Sequence, residues 1–248
     1  MSGHSKWSKI KHQKESTDGA KGKIFTKLAN AIIIAVKTGG GVSNPGGNIK
    51  LRLAIEKARS SNMPKDKIER AIERGKGTDA SDNLEEALYE GFGPKGIGIM
   101  IETATNNKQR TVAELKNTLE RGGGRLGTSG SVAHLFNFVG LITVSKEGKS
   151  FDQILEAAIN VGAIDLEDMG NTVDIYTSHN DLHKVKEALS TGGVSISSSD
   201  LFYRPNTAVS ITDQAAAQKI LALLTSLEEI EDVQKVYANF DIPDEFLR

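Results

Sequence analysis

The sequence predicts an α+β multidomain protein: an N-terminal three-helix domain followed by two ferredoxin-like α/β domains, one inserted in the other. Three observations carry this. Residues 1–78 hold 17 Lys and Arg against 6 Asp and Glu, a net charge of +11, whereas residues 79–248 hold 14 against 26, a net of −12. The apolar spacing is helical throughout the first part and switches between strand and helix periods in the second. A complete α/β unit lies inside the second part, and the stretch before it is incomplete without the stretch after it.

Residues 1–22 are polar, basic and rich in Ser, Gly and Lys, and they are expected to be extended or mobile in isolation. A helix follows, with Ile24, Leu28, Ala31 and Ala35 on one face and Gly39-Gly40-Gly41 as its stop. A second helix covers about Asn48–Ser60, with Leu51, Ala54, Ile55 and Ala58 at helical spacing. A third opens at Pro64, suited to the first helical position, and closes at Gly75; its stripe is Ile68, Ala71 and Ile72. Three short amphipathic helices can bury their stripes only against one another, so they form a small domain, with Gly75–Ser81 as a linker.

Strands then appear. Ile97, Ile99 and Ile101 alternate with Gly98, Met100 and Glu102, and Leu84–Phe92 is a partner strand joined through the turn Gly93-Pro94-Lys95-Gly96. A helix is expected over about Gln109–Arg121. Ser131–Tyr203 reads as strand-strand-helix-strand-strand-helix-strand, its first helix opened by a Ser150/Gln153 capping box. Within it, Asp165, Glu167 and Asp168 read as an acidic turn. The spacing of Val112, Leu115 and Leu119 before a glycine stop is repeated by Leu182, Val185 and Leu189. Two strands and one helix leave a sheet face uncovered in 84–121. The C-terminal stretch supplies a strand, a helix carrying Ile220, Leu223, Leu224 and Leu227, and a strand at Val233–Tyr237, with Glu228–Asp232 as a solvated turn. The expected domains are therefore 1–78, 79–130 with 206–248, and 131–205.

Composition narrows the function. There is no cysteine, which excludes disulfides, thiol nucleophiles and Cys-based zinc sites. The apolar run Ala29–Val36 is far too short to span a bilayer, and the N-terminus lacks a signal-peptide core, so a cytoplasmic protein without membrane partners is expected. No catalytic motif is present: Gly122 and Gly127 have the spacing of a phosphate loop, but Thr128 follows where that loop needs Lys. No metal or cofactor is expected.

The charge split instead points to a polyanion-binding module on an acidic body. The arm residues Lys6, Lys9, Lys11 and Lys14 can contact phosphates, His12 lies among them, and Trp7 can either stack on an unpaired base or anchor the arm. In the helical domain the candidates are Lys21, Lys23, Lys27, Arg52, Lys57, Arg59 and Lys65. The third helix is the weakest groove element, because Glu69 and Glu73 can pair with its own cations. No Arg/Asn/Gln cluster marks a base-reading helix end, so recognition of backbone or shape is expected.

Several motifs resemble the YebC/PmpR family: Gly3-His4-Ser5-Lys6-Trp7 with Ile10-Lys11-His12 and Lys14, Asn62-Met63-Pro64-Lys65 with Ile68-Glu69-Arg70-Ala71-Ile72, and Tyr89-Glu90-Gly91-Phe92-Gly93-Pro94. Thr105-Asn106-Asn107 with Arg110-Thr111, Leu126-Gly127 with Gly130-Ser131-Val132, and Asp232-Val233-Gln234 with Asn239-Phe240 extend the resemblance over the whole chain. It implies three domains, the third inserted in the second, and a DNA-binding transcriptional regulator. It also implies the alternative of a ribosome-associated translation factor binding ribosomal RNA, since mitochondrial relatives resemble translational activators of cytochrome c oxidase. The partners expected are DNA or ribosomal RNA, with protein partners for the acidic α/β domains.

Overall fold

The structure is a computed structural model and describes residues 18–77 and 83–247. In chain order it opens with helices α1 (Asp18–Thr38), α2 (Ile49–Ser60) and α3 (Lys65–Lys76). Then come β1 (Glu85–Phe92), β2 (Gly98–Thr105), α4 (Lys108–Arg121), β3 (Arg125–Leu126) and β4 (Phe136–Ser145). These are followed by α5 (Phe151–Asn160), β5 (Asp165–Asp168), β6 (Thr172–Ser178), α6 (Leu182–Thr191) and β7 (Ile196–Pro205). The chain closes with β8 (Val209–Ser210), α7 (Gln214–Glu229), β9 (Val233–Ala238) and β10 (Phe240–Asp241). Phe136–Asn206 forms one compact unit, and the remaining described residues form another. No helix among the described residues is long and apolar enough to cross a membrane.

The helical layer is built on α1, which begins at Asp18, inside the stretch expected to be extended. Once a packed helix exists, adding residues to its end fixes one residue per hydrogen bond, so the helix grows past its apolar face. Leu28, Ile32, Ile33 and Val36 of α1 pack with Leu51, Ile55 and Ala58 of α2 and with Ile68 and Ala71 of α3. Asn48 caps α2 by accepting from the Leu51 N–H at 3.0 Å, and its amide donates to the Ala35 carbonyl at 2.7 Å. The start of α2 is thereby tied to the end of α1. Gly75, at the end of α3, meets Val36 and the Ile33 carbonyl so closely that a Cβ would lie 2.7 Å from Val36 Cβ. At the opposite end, the Lys67 ammonium sits 5.2 Å from the Phe25 ring centroid. Helices α1 and α3 therefore run parallel, and α2 runs against both. Pro64 caps α3 with an extended ψ of 142° rather than occupying its first turn.

The first sheet has the order β3-β1-β2-β9, antiparallel throughout. Ile97, Ile99 and Ile101 line one face, and Leu115 and Leu119 of α4 with Ile220, Leu223, Leu224 and Leu227 of α7 cover it. The C-terminal stretch thus supplies both an edge strand and a covering helix. The turn before β9 differs from expectation. Asp232 is 7% exposed, not solvated. Its carboxylate accepts from Arg110 at 2.9 and 3.0 Å, from the Thr111 hydroxyl at 2.7 Å and from the Thr105 hydroxyl at 3.2 Å. An anion can be buried here because its lone pairs are filled, two of them by a guanidinium.

The second unit places β4 to β7 in the order β5-β6-β4-β7, antiparallel, with α5 and α6 as its crossings. This is the ferredoxin-like βαββαβ arrangement. The first sheet repeats that order, with β1 supplying the strand that in the second unit comes third. The two strands expected before α5 are one ten-residue strand, β4. Gly140 does not break it; a Cβ there would meet Thr177 Oγ1 at 2.4 Å and Leu182 Cβ at 2.9 Å, so glycine lets α6 approach the sheet. The acidic turn is a strand, β5, paired with β6. Asp165 and Glu167, two apart and so on one face, share the Arg204 guanidinium at 2.7 and 2.8 Å, and that guanidinium lies 3.9 Å from the Tyr176 ring centroid. Desolvation pushes the Asp165 carboxyl up, but the bonds from Arg204 and from the Leu166 N–H outweigh it and hold it below the usual range.

Before the chain leaves the first unit it is strapped down by Glu90. This carboxylate, 6% exposed, accepts from the backbone N–H groups of Gly130 (2.6 Å), Val132 (2.6 Å) and Ala133 (2.9 Å). Burial raises its pKa, and the three N–H donors more than reverse this, leaving it below the ordinary 4.5. The folded state therefore binds the Glu90 proton less readily than the unfolded state. Its contribution is complete above the unfolded value and is lost as pH falls through the lower folded value. Glu90→Gln should accordingly be less stable than the wild type at neutral pH, with the difference shrinking as the pH falls through that acidic window. Denaturant titrations at a series of pH values measure this, and a difference that stays constant across the window contradicts the strap.

Candidate nucleic-acid interface

The parallel course of α1 and α3 sorts the basic residues by the end of the helical layer they occupy. The start of α1 with Lys23, the end of α2 with Lys57 and Arg59, and the start of α3 with Lys65 and Lys67 lie at one end. Lys23, Lys57, Arg59, Lys65 and Lys67 are all exposed there. Lys21 belongs to the first turn of α1 at this same end. Two helix N-termini, those of α1 and α3, add their positive dipole ends. The turn between α2 and α3 carries Asn62 with a φ of 57°, a left-handed conformation that Asn tolerates better than most residues. Lys6, Trp7, Lys9, Lys11, His12 and Lys14 lie outside the described residues; in sequence they lead directly to the start of α1.

Other expected contact residues are engaged elsewhere. The Lys27 ammonium donates to the carbonyls of Glu228 (2.5 Å) and Val233 (2.6 Å), on either side of the turn between α7 and β9. It holds the middle of α1 to the sheet, and its charge faces the C-terminal dipole end of α7. Arg52 donates to the carbonyls of Pro45 (3.0 Å) and Gly46 (3.1 Å), closing the loop between α1 and α2. Lys37 reaches the Leu84 carbonyl at 3.4 Å and Lys50 pairs with Glu86 at 3.1 Å, so the far end of the layer is fastened to the start of β1. On α3, Lys65–Glu69 and Arg70–Asp66 are surface pairs at 3.6 Å, and Lys76–Glu73 is at 2.6 Å. Such exposed pairs are worth little and leave Lys65 able to turn to another anion. Lys67, which the charge pattern gave no reason to single out, joins this end only because Phe25 lies beneath it.

This end can hold phosphates electrostatically. Among the described residues no cluster of three His, Asp or Glu is placed to hold a metal ion.

The comparisons agree with the motifs. A family model described as the TACO1/YebC protein N-terminal domain matches residues 5–78, and one described as the TACO1/YebC second and third domain matches residues 84–240. The chain belongs to the TACO1/YebC family. A probable transcriptional regulatory protein of Sulfurihydrogenibium sp. is 46% identical over 248 residues, covering 100% of this chain and 98% of its own length. One of the same description from Aquifex aeolicus is 43% identical, covering 100% and 99%. The crystal structure of a conserved hypothetical protein from Aquifex aeolicus superposes with a TM-score of 0.84 at 42% identity, covering 93% of this chain and 94% of that one.

The two classes of lysine in this TACO1/YebC chain separate by experiment. Lys27→Met leaves two carbonyls without their charged donor and should cost about 1.5–3 kcal/mol of stability. Lys23→Met, at an exposed position, should change stability by no more than about 0.5 kcal/mol. Thermal and urea unfolding of both variants measure the contrast; equal effects contradict the assignment of Lys27 to the fold.

Proposed function

We propose that this chain is a nucleic-acid-binding regulator of gene expression that acts by binding rather than by catalysis, and in the first instance a DNA-binding transcriptional regulator. The observation that carries the proposal is the gathering of Lys23, Lys57, Arg59, Lys65 and Lys67 at the one end of the helical layer, the end that the basic residues 1–17 precede in sequence. Phosphate contacts by Lys and Arg supply most affinity that is independent of sequence. Relatives named probable transcriptional regulatory proteins bring DNA forward as the ligand. In this reading residues 1–78 are the binding domain, 79–130 with 206–248 a discontinuous frame, and 131–205 an inserted domain available to protein partners, in the cytoplasm.

A second reading, a ribosome-associated translation factor on ribosomal RNA, is favoured by one feature. The described end has cations and exposed helix termini but no base-reading constellation, which suits recognition of backbone and shape, the way folded RNA is most often bound.

The experiment compares retention of the full-length chain on promoter-bearing duplex DNA with cosedimentation on ribosomes, across a range of salt concentrations. A variant with Lys23, Lys57 and Arg59 replaced by Gln should weaken binding to all sequences alike. Each phosphate of duplex DNA that is no longer neutralised should reduce the magnitude of the salt slope by about 0.9. An unchanged slope contradicts the proposed interface. Tight salt-resistant cosedimentation without DNA retention replaces the first reading with the second.

A further inference from the structure

The sheet of the first unit has a second cationic end, on a body whose net charge is negative. Of its cations, Lys108 pairs with Glu85, Arg110 with Asp232 and Lys116 with Glu120. Lys95, Arg121 and Arg125 are exposed and have no carboxylate partner among the described residues. They are brought to one end by packing. Arg125 is paired with Phe92 across β1 and β3, with its guanidinium 4.6 Å from the Phe92 ring centroid. Arg121 ends α4, and Gly122-Gly123-Gly124 carries the chain from it to β3. A Cβ on Gly124 would lie 2.3 Å from the Phe92 carbonyl and 3.2 Å from Gly93 Cα, and one on Gly123 would lie 3.8 Å from Pro94. The two turns therefore lie against each other, and Lys95 sits at the tip of the 93–96 turn.

Lys95 itself is an anomaly. Its φ is 61° and its ψ 14°, a left-handed conformation, between Pro94 and a Gly96 that is also left-handed. A lysine is held where glycine or asparagine fits with less strain, and such outliers point toward function. Arg125 is placed differently: its guanidinium lies 4.6 Å from the Phe92 ring centroid, a cation–π contact that favours one position for its exposed N–H groups.

We propose that Lys95, Arg121 and Arg125 form a second phosphate-binding site, engaging the backbone of the same nucleic acid held by the helical layer. The helical layer is fastened at the other end of the sheet, where Lys27 meets Val233 and Lys37 meets Leu84. The eight residues of β1 take the chain about 25 Å from that fastened end to the 93–96 turn, and the exposed cations lie at the opposite end of the helical layer, so a span of the molecule separates the two sites. A polymer long enough to bridge that span gains avidity from both sites, whereas a short oligonucleotide occupies one. An acidic peptide is the competing occupant. A long polyphosphate backbone is favoured because the helical end of the same unit collects cations facing outward in the same way.

The inference rests on the nucleic-acid reading above, and the test separates the two. Full-length wild type and a Lys95→Gln/Arg121→Gln/Arg125→Gln variant are titrated with polyuridylate RNA, with a short uridine oligonucleotide and with polyglutamate, at several salt concentrations. The variant should lower the salt slope on polyuridylate by about 2, near 0.7 for each phosphate left without its cation on a single strand. It should change short-oligonucleotide binding far less. Lys95→Gly should raise the melting temperature by relieving the backbone while still weakening polyuridylate binding. An unaltered slope, or a Lys95→Gly chain that binds as the wild type does, overturns the second site. A variant that loses polyglutamate but not polyuridylate makes the occupant an acidic peptide and also overturns it. A wild-type chain that fails to bind polyuridylate at low salt overturns both readings together.

Discussion

The first unit depends on the short turn between α7 and β9. Its carbonyls at Glu228 and Val233 receive the Lys27 ammonium, and its Asp232 carboxylate receives Arg110, Thr105 and Thr111. The Asp232 carbonyl also accepts from the Ala104 N–H at 2.8 Å, stitching the turn to β2. One turn near the C-terminus thus fastens a helix from the start of the chain, a helix from its middle and the central strand. Acidic and carbonyl groups at this place draw two cations inward. Lys23, Lys57, Arg59, Lys65 and Lys67 of the same unit are exposed instead.

That division gives the charge asymmetry its physical sense. Lysine and arginine close to the turn and to the first β1 residues are partners of the fold, while those at the outer end of the helical layer stand exposed to solvent. A positive patch on a negative body concentrates field at the patch and repels polyanions elsewhere. Lys95, Arg121 and Arg125 extend the pattern to the far end of the sheet.

Much of the architecture was legible in the sequence. The stripes of Leu51, Ile55 and Ala58, of Leu115 and Leu119, and of Ile220, Leu223, Leu224 and Leu227 follow helical spacing closely because each faces one core. The missing strand and helix of the first sheet could be inferred because an uncovered sheet face is untenable. What could not be read depended on contacts distant in sequence. Asp232 looked like a solvated acid until Arg110, 122 residues away, filled its lone pairs. Asp165 and Glu167 looked like a turn because only Arg204, from another strand, neutralises them in a ladder. Lys27 resembled every other lysine of α1, and nothing local marks that its ammonium points to two carbonyls. The two strands expected before α5 are one because Gly140, which admits Leu182 of another helix, keeps a single strand continuous.

The central claim is that nucleic acid is held by the helical end and the cationic turns, while the acidic inserted unit stays clear. Amide hydrogen exchange of the intact chain, with and without a saturating long RNA, tests it most directly. Protection should appear in the first turns of α1 and α3, the last turn of α2, and the segments 93–96 and 121–125, leaving Phe136–Asn206 unchanged. Protection confined to Phe136–Asn206, with the helical end exchanging as in the free chain, would contradict it.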